Sequence, residues 1–310
     1  MKPVIGMIGL GIMGGAMAEA LIDAGYRVVG YDVNAKARQR LKSAGGRVLS
    51  SCAAVASGAD VLITSLPSVA ALDDVVEKIA PACAPKRKSR SRLIVIETST
   101  LPIEDKERAM QRLQHVRTTM LDCPISGTAR RMKEGAWTIF VSGGKTACNS
   151  VSAIFEVFTR NAPYVGAFGN GSKMKFIANH LVAITNVAVG ESLTFARKMG
   201  LDPQQVWDLF AASPVVGTGV FKLRGKFMVE RKYLPATMKV ETWQKDMQVI
   251  GDMAKSVDCP TPLFTACVPI YSAAMAQGLS QHDTASVCEV LDRMAGGRQL
   301  RRRRLASPSA

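Results

Sequence analysis

Apolar runs recur through the first half of the chain at residues 4–8, 27–31, 61–65, 93–97, 119–122 and 138–141, with helix-length segments between them. That alternation predicts a mostly parallel sheet joined by crossover helices. From about Gly169 the β-branched runs give way to long helical stretches, expected at residues 172–199, 203–212, 240–257, 262–277 and 284–294. The first of these carries Phe176, Ile177, Leu181, Ile184, Val187, Val189, Leu193 and Phe195 spread around its circumference and stops at Gly200, a common residue just past a helix end. A buried central helix is the expectation.

The first strand runs into Gly9-Leu10-Gly11-Ile12-Met13-Gly14, a GxGxxG between a strand and a helix that should begin near Met13. Gly9 permits the tight turn, Gly11 lets backbone amides approach a pyrophosphate, and Gly14 allows close helix-to-strand packing. The helix N-terminus then faces the phosphates. Asp32 closes the second predicted strand, where its carboxylate can accept hydrogen bonds from the adenosine ribose hydroxyls and repel a 2′-phosphate, so NAD is expected over NADP. Lys36 and Arg38 follow closely and keep NADP as an alternative. The expected class is α/β: a Rossmann-type, mostly parallel sheet followed by an all-α C-terminal domain. The boundaries are 1–168 for the NAD-binding domain, 169–297 for a helical substrate and dimerisation domain, and 298–310 for a disordered basic tail.

Composition narrows this picture. Of the 310 residues 47% are hydrophobic, yet no uninterrupted apolar run reaches the ~18 needed to cross a bilayer, and the first residues lack the features of a signal peptide. A cytoplasmic protein without a membrane partner is expected. The seven cysteines are widely spaced, with no CxxC pair and no nearby His, which favours reduced, mostly buried thiols and disfavours structural zinc. Most of the formal charge of +15 comes from two runs, Lys86, Arg87, Lys88, Arg90 and Arg92 in a loop, and Arg298, Arg301, Arg302, Arg303 and Arg304 in the tail. Such runs read as solvated surface rather than a specific nucleic-acid site.

Three further places carry candidate chemistry. Gly169 and Gly171 precede a helix bearing Lys173, Lys175 and Asn179. Lys175 and Asn179 are four apart and share a face, whereas Lys173 is rotated from Asn179 by about 240°. Spacing makes Lys175 the partner of Asn179, with a solvated lysine near a helix start as the alternative. Asp122-Cys123-Pro124-Ile125-Ser126-Gly127-Thr128 sits at a strand end, where a hydroxyl and free amides can bind a carboxylate, or where a plain turn can lie. Lys245-Asp246 sits early in a helix, and an i,i+1 pair does not face itself, so one side chain can point inward and one outward, with a surface charge pair as the usual alternative.

Together, the glycine loop, Asp122-Cys123-Pro124-Ile125-Ser126-Gly127, the Gly169/Gly171/Lys175/Asn179 spacing and Lys245-Asp246 resemble the β-hydroxyacid dehydrogenase family. That family includes 3-hydroxyisobutyrate dehydrogenase, tartronate semialdehyde reductase and, more distantly, 6-phosphogluconate dehydrogenase. The resemblance covers residues 1 to about 296. It implies that Ser126 and Gly127 hold a substrate carboxylate, that Lys175 is the acid/base, and that Asn179 positions Lys175 and substrate. It implies cofactor contacts at Leu66, Pro67 and Thr100, and a place for Lys245 near cofactor and substrate. The implied reaction moves hydride between NAD(P) and the hydroxyl carbon of a small anionic 3-hydroxyacid or its semialdehyde. Lys175 takes or returns the hydroxyl proton, its pKa lowered by burial and by the like charge of Lys245. A homodimer or homotetramer is also implied.

Thr128 stands where the family has a second glycine and is counted with the substrate loop; Arg130 and Arg131 follow at positions commonly small, where they would admit a second anionic group on the substrate if turned inward and are solvated surface if turned outward. Glu97 replaces the more usual aspartate, and His180 and His282 read as packed or solvent-facing. Two rival readings are an idle dehydrogenase-like module that binds nucleic acid and an imine reductase-like enzyme. The intact set of Lys175, Asn179 and Ser126 opposes the first, and Lys175 opposes the second.

Overall fold

The computed structural model describes residues 2–83, 93–129 and 135–296. The basic loop run, Arg130, Arg131 and the arginine tail lie outside the described residues, together with the expectations attached to them. The chain divides into two compact units, Met1–Ala178 and Asn179–Ala310.

In the first unit, β1 (Val4–Ile8), α1 (Ile12–Asp23), β2 (Arg27–Tyr31), α2 (Ala35–Ser43), β3 (Arg47–Val48), α3 (Cys52–Gly58), β4 (Val61–Thr64), α4 (Val69–Cys83), β5 (Ile94–Glu97), α5 (Ile103–His115) and β6 (Thr119–Asp122) alternate along the chain. The six strands form one parallel sheet in the order β3-β2-β1-β4-β5-β6. This is a doubly wound sheet whose order reverses between β1 and β4, and ligands bind such sheets outside the carboxyl ends of the strands at that point. Helices on both faces explain why the strands read as continuous apolar runs. Ile5 and Met7 join a core with α1 and α2, while Ile8 and Leu62 join another with α3, α4 and α5.

Residues 138–141 depart from the expected arrangement. Only β8 (Thr138–Ile139) is a strand, and it pairs antiparallel with β7 (Ile125–Ser126) in a separate two-stranded sheet. The parallel sheet ends at β6, and Pro124 just beyond it has no amide to continue a ladder. The short helices α6 (Lys145–Ser150) and α7 (Ser152–Phe155) complete this unit.

The long helix α8 (Asn170–Lys198) runs from the first unit into the second. It is long and apolar enough to cross a membrane by composition, but much of it is buried inside the fold. The expectation of a helix buried all round is corrected here. Ser172, Lys175, Asn179, Ala183, Asn186 and Leu193 lie on its buried side, whereas Ile177 (61% exposed), Leu181 (58%) and Phe195 (63%) are open. Apolar residues spread all round a helix do not say which of its faces is packed, and here one side is covered and the other is open.

The second unit is helical: α9 (Pro203–Phe210), a π-turn at Phe221–Gly225, α10 (Lys226–Glu230), α11 (Val240–Ser256), α12 (Pro262–Ala276), a 3-10 turn at Thr284–Ser286 and α13 (Val287–Met294). Asp202 caps α9 by accepting from the Gln204 amide, with Pro203 at the first helical position. His180 stacks on Phe264, and His282 packs edge-on to Tyr233. All seven cysteines are free thiols, five of them buried.

Candidate active site

The carboxyl ends of β1, β2, β4 and β5 gather the residues expected to meet a dinucleotide. Gly9 has φ +87°, and a Cβ there would lie 2.2 Å from the Ser65 carbonyl oxygen. A Cβ on Gly14 would lie 1.9 Å from the Gly9 oxygen, so both positions exclude any side chain. A Cβ on Gly11 would meet nothing within 4 Å, which leaves the backbone before α1 open to a ligand. Asp32 braces this loop: one carboxylate oxygen accepts from the Leu10 amide (2.6 Å) and the other from the Asn34 amide (2.7 Å). Arg38 donates to the backbone oxygens of Asp32 and Val33 and packs over Tyr31. After β4, the Leu66 amide donates to Ser99 Oγ (2.7 Å), which joins the Leu66-Pro67 turn to the Ser99-Thr100 turn after β5. An open glycine loop on a helix N-terminus with a carboxylate beside it fits a dinucleotide.

Beyond β6 the chain turns through β7 into Ser126-Gly127-Thr128. Gly127 has φ +146°, and a Cβ on it would lie 2.4 Å from the buried Trp137 ring. Trp137 donates its indole N–H to the Thr128 carbonyl (2.7 Å), so the loop is pinned between ring and backbone. Sequence reasoning did not select Trp137, because an aromatic residue ten positions after Gly127 signals only core.

The start of α8 is anchored on the end of β6. Asp122 accepts from the Ser172 amide (2.7 Å) and from Ser172 Oγ (2.8 Å). Lys106 Nζ lies 2.8 Å from Asp122 and 2.7 Å from Glu97, all three fully buried. Burial alone would lower the Lys106 pKa, but the carboxylates of Asp122 and Glu97 outweigh it and hold the ammonium above its ordinary value. One turn after Ser172, Lys175 is only 8% exposed, whereas Lys173 is exposed. A lysine that buried is not a solvated surface charge.

In the second unit, Asn179 donates to Asp246 (2.9 Å), and both are buried. Asp246 also pairs with Lys245 Nζ at 3.1 Å. Asp246 does point inward and Lys245 is partly exposed, as expected, but the two do meet. The alternative of a charge pair is met as well, because the flexible lysine stem brings its ammonium back to the adjacent carboxylate. Asp246 thus orients the Asn179 amide, a role the dipeptide alone did not disclose. Among the described residues no cluster of His, Cys, Asp and Glu could hold a metal ion.

Two family models match almost the whole described chain. Residues 4–166 match the NAD binding domain of 6-phosphogluconate dehydrogenase. Residues 169–291 match the model described as NAD-binding of NADP-dependent 3-hydroxyisobutyrate dehydrogenase. A probable mitochondrial 3-hydroxyisobutyrate dehydrogenase of Dictyostelium discoideum is 28% identical, with 93% of this chain and 91% of that protein covered. The 2-hydroxy-3-oxopropionate reductase of Escherichia coli is 29% identical, with 94% and 98% covered. In fold, the 3-hydroxyisobutyrate dehydrogenase of Salmonella typhimurium superposes with a TM-score of 0.82 at 24% identity, covering 93% of this chain and all of that one. With the glycine loop, the doubly wound sheet and the helical second unit in place, the chain belongs to the β-hydroxyacid dehydrogenase family, NAD(P)-dependent oxidoreductases that act on CH–OH groups.

Proposed function

We propose that this protein interconverts a small 3-hydroxyacid and its semialdehyde, with Lys175 as general acid/base. The observation that carries the reading is the burial of Lys175 one helix turn from Asn179, whose amide is held by the buried Asp246. Bound NAD(P) supplies the hydride acceptor or donor. Ser126 and Gly127, with Thr128, hold the substrate carboxylate through a hydroxyl and backbone amides. Lys175 Nζ takes the hydroxyl proton during oxidation and returns a proton to the oxygen during reduction. Asn179 aligns the substrate oxygen with Lys175, and Lys245 adds positive charge near the anionic substrate. Gly9, Leu10, Gly11, Ile12, Met13 and Gly14 receive the pyrophosphate, with Asp32, Leu66, Pro67 and Thr100 around the rest of the cofactor.

NAD is preferred over NADP in this reading, because the Asp32 carboxylate disfavours a 2′-phosphate. Residues 1–168 act as the cofactor domain and residues 169–297 as the substrate and dimerisation domain. The open apolar residues of α8 support a homodimer or homotetramer. The protein works in the cytoplasm on a small anionic substrate, with no specific nucleic-acid or membrane partner.

The test is an activity screen of the purified chain with NAD and NADP against 3-hydroxyisobutyrate, other small 3-hydroxyacids and semialdehydes, sugar acids and hydroxysulfonates. Nicotinamide reduction with one of these is expected, fastest with NAD. No turnover, with salt-sensitive DNA binding instead, would overturn the enzyme reading in favour of an idle binding module. Reduction of cyclic imines without hydroxyacid oxidation would favour an imine reductase.

A further inference from the structure

Glu97 and Asp122 end neighbouring parallel strands at the same register position. Two fully buried carboxylates side by side repel each other, so neither belongs to an ordinary core. Lys106, in the first turns of α5, reaches both of them with a fully buried ammonium. Its third contact is Ser172 Oγ at 3.1 Å, in the first turn of α8. Ser172 in turn gives both its amide and its hydroxyl to Asp122. The Gly171 amide donates to Ser142 Oγ (2.9 Å), which donates to the Asp122 carbonyl (2.8 Å).

The other end of the network leads to the cofactor side. Glu97 accepts from the Ser99 amide (3.0 Å), and Ser99 Oγ accepts from the Leu66 amide (2.7 Å). One run of hydrogen bonds, linked at its centre by the Lys106–Glu97 and Lys106–Asp122 ion pairs, therefore joins the turns after β4 and β5 to the helix turn before Lys175. Well-packed apolar residues commonly stabilise a core as well as a buried ion cluster does, so stability does not account for this one. Fixing the distance between two functional parts does, since charge-assisted bonds are short and directional.

We propose that Lys106 is a positioning residue for the reaction: through Ser172 it sets where Lys175 stands relative to the turns that meet the nicotinamide cofactor. The proposal rests on the reading of Lys175 as the acid/base. The mutants of choice are Ser172→Ala, which removes the direct Lys106–Ser172 contact and one of two bonds to Asp122 without burying an unpaired charge, and Lys106→Met. Both are compared with wild type and Lys175→Ala at saturating NAD, using the best substrate of the screen, with active sites counted by NADH-binding stoichiometry. Misplacement by about 1 Å can cost ~10²-fold in rate, so a partial loosening in Ser172→Ala should lower kcat about tenfold, and folded Lys106→Met more. The NADH dissociation constant should stay within about twofold of wild type, whereas a purely structural role would lower the melting temperature and the number of sites but leave kcat per site unchanged. A Ser172→Ala kcat per site within twofold of wild type overturns the proposal, and that readout decides even where Lys106→Met fails to fold. Failure of the underlying reading shows separately, as turnover that survives Lys175→Ala.

Discussion

Asn179 gives its amide to Asp246 over 2.9 Å, and the same carboxylate stands 3.1 Å from the Lys245 ammonium. One buried acid therefore orients the amide that follows Lys175 on α8 and also holds the neighbouring ammonium. Replacing it with alanine leaves the Asn179 amide free to turn. Asp246→Ala should reduce kcat by about one to two orders of magnitude, in the range for loss of a catalytic group's alignment, with little change in NADH affinity. Stopped-flow turnover and fluorescence titration of NADH separate the two effects, and an unchanged kcat would remove Asp246 from the site.

Lys175→Ala should lower turnover by ~10²- to 10⁴-fold, the usual cost of deleting a general acid/base. NADH binding should persist, because the glycine loop is braced by Asp32 and by its own backbone. Steady-state rates beside a direct binding isotherm make the check; retained turnover would end the proton-transfer role.

Asp32 has two duties. Its oxygens brace the Leu10 and Asn34 amides, and in the proposed complex they receive the ribose hydroxyls. Asp32→Ser should weaken NAD binding about tenfold and shift the ratio of kcat/KM toward NADP, since the repulsion is gone while Arg38 remains nearby. An unaltered cofactor ratio would show that Asp32 does not choose between them.

Gly127→Ala combines a left-handed φ with overlap against Trp137. A loss of stability of about 1–3 kcal/mol is expected, together with a raised KM for the hydroxyacid, because the loop that should hold its carboxylate must move. Thermal unfolding and substrate saturation curves test both halves of this statement.

Alkaline pH should destabilise the fold. Burial raises the thiols of Cys52, Cys123, Cys148, Cys267 and Cys288 above 9.0, and the hydroxyls of Tyr233 and Tyr271 above 10.0. Each of these groups keeps its proton longer in the native state than in the unfolded chain. Their contribution is complete below the unfolded values and declines as pH rises past 9 and then 10, with Lys106 adding the same sign above 10.5. Urea melts between pH 8 and pH 10.5 should show falling stability, and a flat profile would contradict the burial of these groups. At pH 8 a thiol reagent should find the exposed Cys259 quickly and the five buried thiols only after unfolding.

The parts of this architecture legible in the sequence are those encoded locally. The GxGxxG after β1, the carboxylate closing β2 and the four-residue step from Lys175 to Asn179 each express one backbone or helix geometry, and each appears where expected. Pairing over distance was not legible. Residues 138–141 look like any other apolar run, and nothing in them announces an antiparallel partner at Ile125–Ser126. Glu97 was noted only as an unusual residue and Lys106 not at all, because their meaning depends on strand register and on which way α5 faces. The open stripe of α8 escapes the sequence for a related reason: apolar residues all round a helix do not say which of its faces the rest of the fold will pack against.

Gly171 sits where α8 meets the sheet, and a Cβ there would fall 2.5 Å from the Phe140 oxygen and 2.6 Å from the Asp122 oxygen. Four residues later comes Lys175. With the helix keyed to the sheet at one end, the phase of Lys175 is set by counting residues, at about 100° for each. One residue inserted or deleted between them would swing the lysine away from its buried face without changing a single amino acid of the site. The five-residue stretch from Gly171 to Lys175 is in this sense a fixed-length spacer: its residue count sets the direction of the lysine whatever stands at the exposed positions 173 and 174.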